Sequence, residues 1–226
     1  MAKNKLRRFK EMDEMSCVFQ PNFEEVTTDT FKMKGNWHAK YFNNNHPIIV
    51  ELGCGKGEYT LGLGKKYPHQ NYIGVDIKGA RIWEAAHVVE ENNIQNIGFV
   101  RGRIDFVHAF FGEDEIDEIW LTFSDPQPKK PNKRLSSKVF IDKYRHFLKP
   151  GGIIHLKTDS DILFESTMEQ IEENKYQLLE KTWDLYKEMP DSLDQETKEI
   201  LSIKTHYETI FSTKGFTIKY CKFKIS

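Results

Sequence analysis

Short apolar runs closed off by turn residues, with segments of helical period between them, restrict this chain more than any other feature. His46 to Leu52 is such a run and reads as a buried strand. Tyr72 to Ile77, Ile97 to Val100, residues 116–123 and Ile153 to Lys157 read the same way. The stretches 178–186 and 216–225 add a sixth and a seventh strand. The last run slips phase near Tyr220-Cys221, as a bulge would make it do. Among the intervening segments, Ile82, Ala85, Ala86 and Val89 recur at helical spacing over 79–92. Further helices are expected before Pro68, over 137–148, and around Phe164, Met168 and Ile171. Strands alternating with helices predict an α/β fold: a seven-stranded, mostly parallel, doubly wound sheet with helices on both faces. The reading divides the chain into a basic, partly flexible N-terminal arm over 1–46 and one domain over 47–226.

Composition excludes several classes. No apolar run approaches the roughly 20 residues of a membrane span, and the basic start has no apolar stretch behind it to serve as a secretory signal. Cys17, Cys54 and Cys221 show no CxxC spacing, and the eight histidines show no ligand spacing, so neither a disulfide framework nor a metal site is expected. A reducing cytoplasm suits such a chain. The net charge of −1 hides segregation. Residues 1–10 carry five Lys/Arg and no acid, residues 129–149 carry eight against Asp142, and residues 165–199 hold eleven acids. Local basic patches can bind polyanions whatever the average charge; the acidic stretch reads as a solvated face.

Gly53, Gly55 and Gly57 follow the first strand directly and open a helix. Glycines there let the backbone turn tightly and come close to a ligand, at the carboxyl end of the strand where nucleotide-like ligands sit in open α/β sheets. Residue 58 is Glu, so the third glycine of GxGxxG is absent and a nicotinamide dinucleotide is disfavoured. Glu51, two residues before the first glycine, suits a ligand with a cationic amino-acid end. Asp76 closes the second strand, where a carboxylate can accept both ribose hydroxyl protons. E-x-G-x-G-x-G with that later acid resembles the class I S-adenosylmethionine-dependent methyltransferases, a Rossmann-like fold.

The stretch 122–135 carries the most information. Asp125-Pro126 falls just past the fourth strand, beside the glycine turn, and Pro126 holds Asp125 in an extended exit from the sheet. Lys129, Lys130, Lys133 and Arg134 come at once after it. A carboxylate at a ligand crevice followed by a phosphate-seeking loop suits a nucleic-acid substrate.

From about residue 46 to its end the chain resembles the bacterial tRNA (guanine-N7-)-methyltransferase family. That family carries a fourth-strand Phe-Pro-Asp-Pro-Trp before its basic run; here Ser124 stands for the first Pro and Gln127 for Trp. Gly74 to Lys78, Arg81 to Ala85 and the closing Thr205 to Glu208 also look like the family. The resemblance implies S-adenosylmethionine as cofactor and tRNA as partner, with a variable-loop guanosine as target. It implies cofactor contacts from Glu51, Asp76 and Asp125, beside those read for Gly53, Gly55 and Gly57, with Arg103 at a third-strand position that Asp105 could fill instead. Lys129, Asp161, Thr205, His206, Tyr207 and Glu208 would face the guanosine, and Asp125 would be catalytic. A methyltransferase acting on an exocyclic amino group and an RNA-binding module without chemistry are the alternatives, and oligomeric state stays open.

Overall fold

The computed structural model describes residues 2–205, 208–209 and 215–225, with side chains from Arg7 onward. Its eight described strands form one sheet in the order β1-β4-β3-β2-β5-β6-β8-β7. These are β1 (Val18–Phe19), β2 (Ile48–Leu52), β3 (Asn71–Asp76), β4 (Ile97–Arg101), β5 (Ile116–Thr122), β6 (Leu148–Thr158), β7 (Gln177–Thr182) and β8 (Lys219–Lys224). Neighbours from β1 to β6 run parallel, and β8 lies antiparallel between β6 and β7. The α/β doubly wound reading holds, with eight strands in place of seven. The extra one is β1, two residues of the leader paired to Phe99 and Val100. The expected irregularity lies in β7, between Leu178 and Glu180, and not at Tyr220-Cys221. β8 is covered on both faces, so its sequence has no alternation to keep.

Every residue of β2 is buried, because both faces of a central parallel strand are covered. Helices α3 (Glu58–Lys66), α4 (Gly79–Glu91) and α7 (Gln195–Leu201) join Ile49, Tyr72, Phe99 and Trp120 in one apolar cluster. Helices α5 (Lys138–Tyr144) and α6 (Asp161–Glu173) join Val50, Leu52, Ile119 and Leu156 in another. The face of α4 is the expected one, with Ile82, Ala85, Ala86 and Val89 all buried.

The leader, read from sequence as an arm, contributes to this core. It holds the short helix α2 (Phe23–Thr27) and, before it, α1 (Ala2–Glu14), which packs on α4, where the Trp83 indole donates to Glu11 at 2.8 Å and the Arg8 guanidinium lies 4.4 Å from the Trp83 ring centre. Trp37 is fully buried. The Glu115 carboxylate accepts the backbone N–H groups of Gly35 and Trp37, each at 2.9 Å, and of Gly112 at 2.7 Å. Val26, Phe31, Met33, Trp37 and Phe42 belong to the same apolar cluster as Val50 and Leu52.

Candidate active site

β2 and β5 are adjacent and parallel, so the turns that leave their carboxyl ends emerge side by side. The turn after β2 is closed by backbone bonds from Gly53 and Cys54 N–H to the Val75 carbonyl, at 2.8 and 3.1 Å. Gly57 takes φ +67°, and a Cβ there would sit 2.7 Å from Ala85 Cβ and 2.9 Å from the Phe99 ring. Only glycine can hold that place against α4. Gly55 differs: it has φ +56° and nothing within 4 Å of a would-be Cβ, which leaves its backbone open to a ligand.

Two carboxylates support the turn in different ways. Asp76 accepts the Gly55 N–H at 3.0 Å on one oxygen and the Lys78 N–H at 2.7 Å on the other, and it lines the crevice. Glu51 is buried and faces inward. It accepts both the backbone N–H (2.9 Å) and the hydroxyl (2.5 Å) of Thr60, and the hydroxyl of Thr122. Burial pushes its carboxyl up to about 7, against the pull of the Thr122 and Thr60 bonds. Glu51 thus ties α3 and β5 to the turn, and it does not line the crevice.

Beyond β5 the chain turns sharply, with φ +49° at Phe123 and +44° at Gln127. Asp125 is exposed and spends one oxygen on the Gln127 N–H at 2.9 Å; its other oxygen has no hydrogen-bond partner among the described residues. Arg134, which charge counting places among the phosphate-seeking groups, is buried and donates to the Pro126 carbonyl at 2.9 Å. It braces the turn. Lys133 reaches back to Asp105 at 2.6 Å, and Arg103 meets the same carboxylate at 3.3 Å. The hydrogen bond from Lys133, reinforced by Arg103, holds Asp105 below the ordinary aspartate range.

Gly53, Asp76, Arg103, Asp105, Asp125, Lys130 and Lys133 share one crevice of about 850 Å³, whose walls also include Ile77, Ser124, Gln127 and Ser160. Both Arg103 and Asp105 line it. The remaining expected residues, Gly55 and Gly57 included, are not among its walls. Lys129 stands exposed on the loop, and Asp161 opens α6 paired with Lys219 at 2.5 Å. Thr205 and Glu208 are buried and bonded to each other, the Glu208 N–H donating to Thr205 Oγ1 at 3.1 Å. His206 and Tyr207 lie outside the described residues. Sequence reasoning missed Ser124, whose buried hydroxyl has no partner among the described residues, and Ile77, a large exposed apolar side chain beside Asp76.

These residues fit S-adenosylmethionine. The crevice falls in the roughly 300–1,000 Å³ range of small-ligand sites. Asp76 offers lone pairs for ribose hydroxyls, Gly53 a stretch of backbone, Ile77 an apolar wall and Ser124 an unsatisfied hydroxyl.

A family model described as "Putative methyltransferase" matches residues 45–221. A tRNA (guanine-N(7)-)-methyltransferase of Bacteroides thetaiotaomicron is 48% identical over 225 residues, covering 100% of this chain and 87% of that protein. The chain belongs to the tRNA (guanine-N7-)-methyltransferase family. Another tRNA (guanine-N(7)-)-methyltransferase, of Christiangramia forsetii, is 42% identical over 226 residues, covering 99% of each chain. Among solved structures, the 16S rRNA methyltransferase KamB superposes with a TM-score of 0.61 at 11% identity, over 84% of this chain and 91% of that one. At that identity the likeness is one of fold. It is the fold expected of a tRNA (guanine-N7-)-methyltransferase, a doubly wound sheet with its crevice at the carboxyl ends of β2 and β5.

Proposed function

We infer that this protein transfers the methyl group of S-adenosylmethionine to N7 of a guanine in tRNA. The observation that carries the reading is the opening of the Gly53–Asp76 turn and of Asp125 onto one crevice. When bound, S-adenosylmethionine supplies an electrophilic methyl on a sulfonium centre. Guanine N7 presents an unprotonated lone pair in the major groove, so the chain needs no general base. Its task is to align the purine with the methyl and to offset the positive charge that grows on the ring. The free oxygen of Asp125 suits that electrostatic role, with Asp76 and the Gly53 backbone holding the cofactor's sugar end.

Lys129 and Lys130 are exposed on the rim and suit tRNA phosphates, which position a substrate without reading its sequence. The target we assign is a variable-loop guanosine, methylated in the cytoplasm. No described helix is long and apolar enough to cross a membrane. The test is mass spectrometry of nucleosides from unmodified tRNA incubated with the protein and S-adenosylmethionine. 7-Methylguanosine is expected, and mapping by cleavage at the modified base places it in the variable loop. A methyl on an exocyclic amino group, or none, overturns the reading.

A further inference from the structure

Lys157 sits near the end of β6 with its side chain fully buried. A charge is taken out of water only where partners replace its hydration. Here the ammonium donates to the carbonyls of Leu201 (2.8 Å) and Ile203 (3.1 Å) and to Glu208 Oε2 (2.9 Å), so its three protons all go to one C-terminal segment. Glu208 is equally sealed, at 0% exposure. Its second oxygen accepts the Tyr186 hydroxyl, and Oε2 also lies 3.4 Å from the Thr205 N–H. Sealed in this way, the carboxylate exposes no oxygen to a guanine.

The other side of Lys157 faces the active-site turn. Its carbonyl accepts the Phe123 N–H at 2.9 Å, and its ammonium lies 5.9 Å from the Phe123 ring centre and 5.7 Å from that of Tyr59. Phe123 is the left-handed residue from which the chain swings out to Asp125. One side chain therefore touches both the 201–208 segment and the root of the Asp125 turn.

We propose that Glu208 serves methyl transfer through Lys157, as a positioning residue that docks residues 201–205 and its own helical turn against the Phe123–Pro126 turn and so fixes where Asp125 points. The proposal rests on the function inferred above, and it replaces the direct guanosine contact that the family resemblance implies for Glu208. Breaking a buried pair at one partner strands the other charge, whereas removing both leaves none to strand.

The test uses the full-length protein with Glu208→Gln, Lys157→Met, the double variant and Tyr186→Phe. In the free protein, Glu208→Gln is expected to speed amide hydrogen exchange in the peptide spanning 121–127 by about tenfold or more, a local opening that a guanine contact would not produce. At saturating tRNA, kcat is expected to fall by about tenfold while KM for tRNA stays within about threefold, and the double variant to be no slower than the slower single one. Unchanged exchange in 121–127, or losses that multiply in the double variant, overturn the proposal. Should the single variants not fold, Tyr186→Phe strands no charge and is expected to raise the same exchange by about two- to threefold; no rise overturns the proposal. Formation of 7-methylguanosine by the unaltered protein is scored separately, so a failure of the inferred function is distinguishable from a failure of the latch.

Discussion

Glu51 lies in β2 and Asp125 in the turn that leaves its parallel neighbour β5, yet the first carboxylate is sealed behind the glycine turn and the second stands in solvent with an oxygen to spare. The wall of the crevice beside the glycine turn is held from behind by buried hydrogen bonds. The wall beyond β5 is made of side chains, some free and some engaged by the protein itself. A wall of the first kind gives a fixed shape at every moment. A wall of the second kind can exchange its partners for those of a large polyanion. Charge alone does not separate the two, since Arg134 belongs to the brace and Lys129 to the rim although they are five residues apart.

Three measurements can break or sharpen this contrast. The largest effect is expected from Asp125→Ala, which removes charge compensation and should lower turnover at saturating tRNA by about 10²-fold or more. Its Tm should stay within about 2 °C, because the carboxylate's one hydrogen bond, from the Gln127 N–H, is exposed to water. Turnover equal to that of the unaltered protein would end the catalytic role. The next concerns pH. The Glu51 carboxyl is raised in the folded state to about 7, so between its unfolded value and that point the folded protein binds the extra proton. Stability contributed by the protonated carboxyl is then present at low pH and lost as pH rises toward 7. From about pH 5.5 to 7.5 the unaltered protein should lose about 2 kcal/mol more than Glu51→Gln, or about 4–8 °C in Tm. Parallel Tm–pH curves for the two would show that Glu51 is not a sealed acid. The smallest effect is expected from Lys129→Ala with Lys130→Ala. Affinity for tRNA should fall about tenfold near 0.15 M salt and the salt slope should flatten by about one to two, with cofactor affinity unchanged. An unaltered slope would remove the rim from the RNA interface.

The sheet was largely legible because its inner strands are continuous apolar runs ended by glycine, proline or acid. Asp76 and the glycine turn could be read because their chemistry depends on short spacing. The leader could not. β1 is two residues long, too short to show a period, and Trp37 meets Phe110 across 73 positions, the indole donating to its carbonyl at 3.0 Å. Helix α7 overlaps the end of the acidic stretch, seven residues long with Thr197, Ile200 and Leu201 buried, and charge counting takes its first turn for part of a solvated face. Lys157 and Glu208 stand 51 positions apart, and only the fold can bring such a pair together. One sign was present even so: a lysine closing the run Ile153 to Lys157 needs a partner if its strand is central.

The Glu115 carboxylate decides where this polypeptide tolerates the scissors. Three amides from two distant stretches, residues 35–37 and residue 112, converge on it, so a chain shortened to start after position 46 would lose two of the three and uncover the bed of an indole. An affinity handle belongs ahead of α1, and trimming the amino end to a tidier catalytic fragment would exchange a folded enzyme for a sticky one.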